Sequence, residues 1–287
     1  MGLVAAIAFL TVLCTLLAVV LAAAQRKLYV WEDPRIEQVE GMLPGANCGA
    51  CGLPGCRAFA DKVVGGKIRP GKCPVGGASM AERIAAFLGV DAGSEERNVA
   101  RLLCAGGSDV AAQYAEYEGY ESCRAAATIA GGSKGCTYGC LGLADCEVSC
   151  TFDAIRMAPN GLPVVDFDLC TGCGDCVKAC PKNLFEMLPM RRKLVVQCRS
   201  LLEGDTALEV CRVACTGCSI CVSDAPEGLM EMQQALPVVN PEKSHLETSI
   251  ATLRCPTKAI QWVEGQQFPD LHQIVFESEA GTEVSTN

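Results

Sequence analysis

Cysteine is the residue type best able to do chemistry in this sequence, at 21 of 287 residues. The clearest run has the pattern C-x2-C-x2-C-x3-C-P and consists of Cys170, Cys173, Cys176, Cys180 and Pro181. Bacterial ferredoxins use this spacing: three thiolates on a tight loop bind one 4Fe–4S cluster, and the fourth reaches a second cluster. Zinc is the alternative, but structural zinc ligands usually come as two pairs. The run therefore predicts iron–sulfur clusters.

An altered copy of this motif lies upstream, with the pattern C-x3-C-x5-C-x3-C. Its middle cysteine, expected at position 143, is replaced by Leu143, and we interpret Cys136 as the substitute ligand. Exchange of the fourth cysteine between the two motifs then gives two clusters. One cluster is predicted on Cys136, Cys140, Cys146 and Cys180, and the other on Cys150, Cys170, Cys173 and Cys176.

The cysteine pattern repeats after a shift of 75 residues, as from position 136 to position 211. The shift places Cys136, Cys140, Cys146 and Cys180 on Cys211, Cys215, Cys221 and Cys255. The ligands of the other predicted cluster have no counterpart, because the shift places them on Ala225, His245, Thr248 and Ala251. The second repeat should therefore hold one cluster, on Cys215, Cys218, Cys221 and Cys255. Cys211 is the alternative to Cys215, and the C-x2-C-x2-C spacing favours Cys215.

Another group of cysteines, near the N-terminus, has the spacing C-x2-C-x4-C-x16-C and consists of Cys48, Cys51, Cys56 and Cys73. Glycines between them let the backbone curl around one 4Fe–4S cluster, and zinc is the weaker alternative. The sequence thus predicts about four clusters and about sixteen iron atoms. The remaining cysteines are Cys14, Cys104, Cys123, Cys198 and Cys211. Cys104 with Cys123, or Cys198 with Cys211, could bind a further metal, but buried structural thiols are the simpler interpretation.

The segment from Gly2 to Ala24 carries no charge and is nearly all apolar. As a helix rising 1.5 Å per residue it would reach about 34 Å, enough to cross a bilayer core. A signal peptide is the alternative, but it would need a positive charge ahead of the apolar stretch, and the first basic residue is Arg26. Because Arg26 and Lys27 follow the segment, the rest of the chain should lie in the cytoplasm. That compartment is reducing, which suits thiolate ligands.

Composition and missing motifs exclude several function classes. The net charge of -9 argues against nucleic acid as a partner. The sequence contains neither G-x-G-x-x-G nor G-x4-G-K-[ST], the two common nucleotide-binding motifs. The sequence has two histidines, His245 and His272, and shows no Cys/His or Ser/His/Asp set for nucleophilic catalysis. We therefore predict an electron relay with no catalytic residues and no hydride-transfer site of its own.

These signals predict an α+β fold with an N-terminal transmembrane helix, a small 4Fe–4S domain and ferredoxin-like iron–sulfur repeats. A helix is expected from Ala81 to Leu88, and a short strand from Arg101 to Cys104. The predicted units are 1–27 (transmembrane anchor), 28–90 (4Fe–4S domain), 91–133 (connector), 134–200 (two-cluster ferredoxin-like domain), 201–265 (one-cluster ferredoxin-like domain) and 266–287 (solvated acidic tail).

Taken together, the apolar N-terminus, the C-x2-C-x4-C-x16-C domain and the run Cys136-Thr-Tyr-Gly-Cys140-Leu-Gly-Leu-Ala-Asp-Cys146 resemble the B subunit of the Rnf electron-transport complex. The resemblance extends to about residue 262. It implies a subunit of a membrane ferredoxin:NAD+ oxidoreductase that pumps sodium ions or protons. It also implies electrons from soluble ferredoxin, and flavin and nicotinamide sites on other subunits. The second repeat departs from longer family members, which resemble a full two-cluster domain there.

Two other functions fit the same residues. The N-terminal motif also occurs in corrinoid iron–sulfur proteins, so the chain could donate electrons to another acceptor such as a corrinoid or nitrogenase system. A scaffold with zinc or inert clusters is the non-redox alternative. For ferredoxin docking, the densest basic group is Met190–Lys193, and the stretch from Arg57 to Lys72 is its rival.

Overall fold

The computed structural model describes residues 2–28, 32–93 and 96–277. Short helices and two-stranded antiparallel sheets alternate along the chain. The helices are α1 (Gly2–Leu28), α2 (Pro34–Met42), α3 (Cys56–Val64), α4 (Gly77–Leu88), α5 (Cys123–Ala127), α6 (Asp145–Val148), α7 (Asp175–Ala179), α8 (Gly204–Val210), α9 (Ile220–Asp224), α10 (Ile250–Leu253) and α11 (Pro269–His272). The strands are β1 (Asn98–Leu102), β2 (Ile155–Met157), β3 (Pro163–Val165), β4 (Phe185–Pro189), β5 (Leu194–Val196), β6 (Met230–Gln233), β7 (Leu236–Val239) and β8 (Ile260–Trp262). This mixed architecture, with an apolar helix first, confirms the predicted fold class.

The N-terminal helix α1 has the length and composition to cross a membrane. Its apolar window, Ala6–Lys27, covers 22 residues with a mean hydropathy of 2.7, and none of it is buried against the rest of the protein. Arg26 and Lys27 lie in its last turn. An apolar helix with no protein partner needs another apolar environment, which a bilayer core provides.

Helices α2, α3 and α4 form the N-terminal unit. Asp33 caps α2 by accepting a hydrogen bond from the N–H of Arg35 at 2.9 Å. Val39, Phe59 and Ile84, one from each helix, are almost completely buried and form its core. The helix expected from Ala81 to Leu88 is the C-terminal part of α4. This small core holds the cysteine-rich loops between α2 and α4.

The first ferredoxin-like unit consists of the β1–β4 and β2–β3 sheets with α6 and α7. Strand β1 pairs with β4 from Asn98↔Pro189 to Leu102↔Phe185. The predicted connector therefore contributes a strand, β1, to this unit. Val99 and Leu102 of that strand are buried in the same core as Phe167. The short strand expected near Arg101 is β1, which begins a few residues earlier.

The second unit repeats this plan with the β5–β8 and β6–β7 sheets and helices α9 and α10. Strand β5 pairs with β8 from Leu194↔Trp262 to Val196↔Ile260. Because β5 precedes residue 200, the second unit starts earlier than the predicted boundary. In both units a strand from before the cysteine loops pairs with the strand that follows them.

Residues 266–277 differ from the predicted solvated tail. Gln267 is 7% exposed, and its side chain accepts from the N–H of Leu102 at 3.0 Å and donates to the C=O of Leu102 at 2.6 Å. His272 lies 3.0 Å from the carboxylate of Asp166. These contacts attach the segment to the first ferredoxin-like unit. The remaining residues of the predicted tail, 278–287, lie outside the described residues.

Candidate iron–sulfur centres

The N-terminal cavity is lined by Cys48, Cys51, Cys56 and Cys73, the four cysteines predicted to form one site. We call it the N-terminal site. Asn47 positions its loop, since the side-chain oxygen of Asn47 accepts the N–H of Cys56 at 2.9 Å. Gly55 has φ 141°, and a Cβ there would lie 2.9 Å from the same oxygen, so the turn requires glycine.

A second cavity is lined by the four cysteines that the exchange rule groups: Cys150, Cys170, Cys173 and Cys176. We call it the loop site. Burial, together with the neighbouring Cys170, Cys173 and Cys150, raises the pKa of Cys176 to about 12. Gly172 in the loop has φ 75°, and a Cβ there would lie 2.7 Å from the C=O of Asn98. The loop can pass this close to β1 because residue 172 has no side chain.

The third group, which we call the Cys123 site, consists of Cys123, Cys140, Cys146 and Cys180. Burial raises the pKa of Cys146, and the neighbouring thiols of Cys140, Cys123 and Cys180 raise it further. The thiol of Cys123 accepts hydrogen bonds from the N–H groups of Asp145 and Leu143. Cys123 therefore lies where the sequence prediction placed Cys136. It is next to Leu143, which replaces the middle cysteine of the motif in this chain.

A local clamp brings Cys123 to this site from 13 residues before Cys136. Asp145 accepts from the hydroxyl of Ser122 at 3.0 Å and from the N–H of Arg124 at 3.0 Å. Asp145 immediately precedes Cys146, so the clamp fixes the start of α5 against the cluster loop. The sequence contained one signal for Cys123 that the prediction missed: the 75-residue shift places Cys123 on Cys198.

The second repeat forms a cavity lined by Cys215, Cys218, Cys221 and Cys255, which we call the second-repeat site. Burial, followed by the neighbouring Cys215 and Cys255, raises the pKa of Cys221 to about 11. The structure thus brings together the set chosen from the loop spacing. Cys211, the alternative ligand, lies elsewhere.

Cys136 and Cys211 line a different cavity, together with Cys104 and Cys198. The predicted grouping of Cys136 with Cys140, Cys146 and Cys180 therefore does not match the tertiary structure. The physical reason is the direction of the chain: residues 111 and 113 form bridges with residues 211 and 134, and these draw the segment around Cys136 toward the second repeat.

The thiol groups fit iron–sulfur clusters better than single zinc ions. Thiolates about 2.3 Å from one tetrahedral zinc would lie about 3.8 Å from each other. Among the described residues, which include every cysteine, no group of three or more His, Cys, Asp or Glu side chains is arranged to hold a single metal ion. Four thiols spread around a cavity, with backbone N–H groups directed at the sulfurs, suit a cubane that fills the space between them.

The basic group Met190–Lys193 is not the docking surface that the sequence predicted. Arg191 pairs with Glu96 at 2.8 Å and Lys193 pairs with Glu264 at 2.8 Å. Arg192 is 8% exposed and lies 3.2 Å from Glu247, whose side chain is 7% exposed. Acidic residues therefore neutralise this group, and its central arginine is inaccessible to a partner protein.

The rival basic stretch keeps part of its charge. Arg57 pairs with Glu40 at 2.7 Å and also with Glu32, and Arg69 lies 3.5 Å from Asp91. Within the described ranges, Lys62, Lys67 and Lys72 form no ion pair, and Lys67 and Lys72 are exposed. Positive charge therefore remains beside the N-terminal site.

Two stretches of the chain match known protein families. Residues 43–75 match the family described as "Putative Fe-S cluster", and residues 163–186 match the family described as "4Fe-4S binding domain". The first stretch contains the whole N-terminal site. The second contains the C-x2-C-x2-C-x3-C-P run.

Three curated proteins are similar to most of the chain. The B subunit of the Na+-translocating ferredoxin:NAD+ oxidoreductase complex of Acetobacterium woodii is 47% identical over 194 residues, 68% of this chain and 58% of that protein. The B subunit of the ion-translocating oxidoreductase complex of Methanosarcina acetivorans is 37% identical over 259 residues, 90% of this chain and 98% of that protein. The B subunit of the proton-translocating ferredoxin:NAD+ oxidoreductase complex of Clostridium ljungdahlii is 36% identical over 255 residues, 88% of this chain and 89% of that protein.

Proposed function

Because the chain belongs to the family of B subunits of ion-translocating oxidoreductase complexes, we propose that it relays electrons one at a time from reduced ferredoxin toward other subunits of such a complex. The observation that carries the proposal is the arrangement of the four-cysteine sites, which adjoin one another. A 4Fe–4S cluster, when bound, accepts and releases single electrons at a potential set by its surroundings. At each site, four cysteine thiolates of this chain would hold the cluster, and apolar side chains would surround it.

The N-terminal site, the loop site and the Cys123 site follow one another in space. The ammonium group of Lys178, paired with Asp175 at 3.0 Å, lies within electrostatic reach of both Cys48 and Cys173. The thiol of Cys176, in the loop site, is close enough to Cys146, in the Cys123 site, to raise its pKa. Such proximity supports a continuous path for electrons.

Ferredoxin enters this scheme at the N-terminal site. Ferredoxins are usually acidic, and complementary charge raises the rate of encounter. Lys67 and Lys72 lie between α3 and α4, are exposed and form no ion pair within the described residues. The positive flank of α1 supports a cytoplasmic location for the iron–sulfur units, on the side where soluble ferredoxin would be met. Flavin-bearing subunits of the same complex would receive the electrons.

Electron transfer from reduced ferredoxin tests the proposal. The full-length chain, purified anaerobically in detergent, is mixed with reduced ferredoxin, and its clusters are followed by EPR. We expect ferredoxin to reduce them at a rate that falls as salt is added. Reduction by dithionite but not by ferredoxin would overturn the proposal, because the clusters would then be present without access for the physiological donor.

A further inference from the structure

The cavity that holds Cys136 contains four cysteines from widely separated parts of the chain. Cys104 follows β1, Cys136 precedes the first cluster loop, Cys198 follows β5 and Cys211 is the C-cap of α8. All four line one cavity, which we call the shared cavity. The N-terminal, loop and second-repeat sites are each lined by four cysteines as well. In cysteine number, the shared cavity matches the other three.

Backbone groups around the shared cavity are directed at its sulfur atoms. The thiol of Cys104 accepts from the N–H groups of Gly106 and Cys140, and the thiol of Cys198 accepts from those of Ser200 and Cys215. A Cβ at Gly106 would lie 3.1 Å from the sulfur of Cys211 and 3.7 Å from that of Cys104. N–H donation to sulfur and close backbone approach are features that stabilise iron–sulfur ligation.

A buried cation gives independent evidence for a negatively charged ligand. Lys134 is 9% exposed and lines the shared cavity. Its ammonium group donates to the C=O of Gly106 at 2.7 Å, and no carboxylate in the described part of the chain pairs with it. Its charge acts on Cys104 and Cys211. Buried charges are normally paired, so a counter-ion is expected at this position.

We propose that Cys104, Cys136, Cys198 and Cys211 bind a further 4Fe–4S cluster in the shared cavity, with Lys134 as its buried counter-charge. A cubane held by four thiolates carries a net negative charge, which the ammonium group balances. With this site, every cysteine except Cys14 of α1 belongs to one of five sets of four. The repeat agrees with this assignment, because Cys136 and Cys211 are related by the same 75-residue shift.

The shared cavity lies between the Cys123 site and the second-repeat site. The N–H of Cys140, a member of the Cys123 site, donates to Cys104, and the N–H of Cys215, a member of the second-repeat site, donates to Cys198. An electron passing from the first repeat to the second would therefore cross this cavity. This bridging role depends on the proposed relay, whereas the metal site itself does not.

The metal site is tested by the iron and acid-labile sulfide content of the full-length chain. We expect about twenty iron atoms in the unchanged protein and about sixteen in the Cys198→Ala, Cys211→Ala double variant. Cys14→Ala is the matched control and should leave iron unchanged. The proposal would be overturned if both proteins held about sixteen iron atoms. It would also be overturned if the unchanged protein held one zinc ion in place of the four additional iron atoms.

A variant that keeps all four thiols provides a second test if the double variant does not fold. Lys134→Met removes the counter-charge, so one cluster should become harder to reduce while the iron content stays at about twenty. EPR during a redox titration detects this as a single signal shifted to lower potential. An unchanged titration would contradict the placement of a cluster beside Lys134.

The bridging role is measured separately, by rapid-freeze EPR after mixing with reduced ferredoxin. In the double variant the first-repeat clusters should be reduced at the normal rate and the second-repeat cluster at least tenfold more slowly. Equal rates would reject the bridge while leaving the metal site intact. Failure of ferredoxin to reduce even the unchanged protein would instead reject the proposed relay.

Discussion

The two ferredoxin-like units share one scaffold but differ in how many cysteines they use and from where. In the first unit, β1–β4 and β2–β3 frame two sites, and in the second, β5–β8 and β6–β7 frame one. The second repeat lacks all four cysteines of the loop site and keeps its hairpin and closing strand. The fold is therefore preserved while one complete set of ligands is lost.

The units also differ at one position of the cluster loop. The first unit has Leu143 where the second has Cys218, and Cys123 fills the gap in the first unit. In the second unit Cys218 completes the loop, so Cys198, the counterpart of Cys123, is free to line the shared cavity. The two units thus differ at this loop position and also in where the distant cysteine lies, Cys123 beside Cys146 and Cys198 in the shared cavity.

The largest effect is expected from restoring the standard loop in the first unit. Cys123→Ala should lower the iron content by about four atoms, because one cubane loses a ligand. Adding Leu143→Cys to that variant should restore the iron, since position 143 corresponds to Cys218. Iron and sulfide analysis measures both steps. Full iron in Cys123→Ala alone would contradict Cys123 as a ligand.

The reverse exchange should have a similar or smaller effect. Cys218→Leu gives the second unit the loop of the first, so its site and the shared cavity must then compete for Cys198. We expect a loss of up to about four iron atoms. The EPR signal that disappears shows which of the two sites loses its cluster. Cys218→Ala with Cys198→Ala, which leaves both sites short of a ligand, should lose about eight.

A smaller effect is expected for surface charges, because Glu96, Glu247 and Glu264 neutralise the basic group Met190–Lys193. The Lys67→Glu, Lys72→Glu double variant should slow reduction by ferredoxin roughly three- to tenfold at low salt, because electrostatic steering raises on-rates by about 10–10³. Arg191→Glu, at a position already paired with Glu96, is the matched control and should change the rate little. Stopped-flow absorbance measures both, and equal slowing would contradict the docking assignment.

The smallest effect concerns the junction between the units. Arg192→Leu leaves Glu247 buried without its ion-pair partner, and breaking such a pair typically costs about 3–5 kcal/mol. Lys193→Leu removes the exposed pair with Glu264, which is worth about 0–1 kcal/mol. We therefore expect the temperature of cluster loss, followed by visible absorbance, to fall by several degrees for Arg192→Leu and hardly at all for Lys193→Leu. Equal shifts would show that burial of the first pair does not matter.

The sequence alone predicted the local parts of the sites. Cys170, Cys173 and Cys176 lie on one loop whose glycines allow the backbone to curl, so their spacing already places their thiols around a common centre. The same holds for Cys215, Cys218 and Cys221. The fold class followed from these motifs and from the apolar helix, because both signals are contained in short stretches of chain.

Tertiary structure decided everything that depends on distant segments. Cys123 reaches Cys146 because Ser122 and Arg124 bind Asp145. The isolated β-bridges near residue 112 bring Cys136 to the second repeat. Neither contact can be read from the spacing of the cysteines along the chain. Arg192 belongs to a dense basic run, yet it is buried against Glu247, which lies 55 positions later in the chain. Spacing determines which groups can meet within one loop, whereas long-range packing determines which loops meet and which charges reach the solvent.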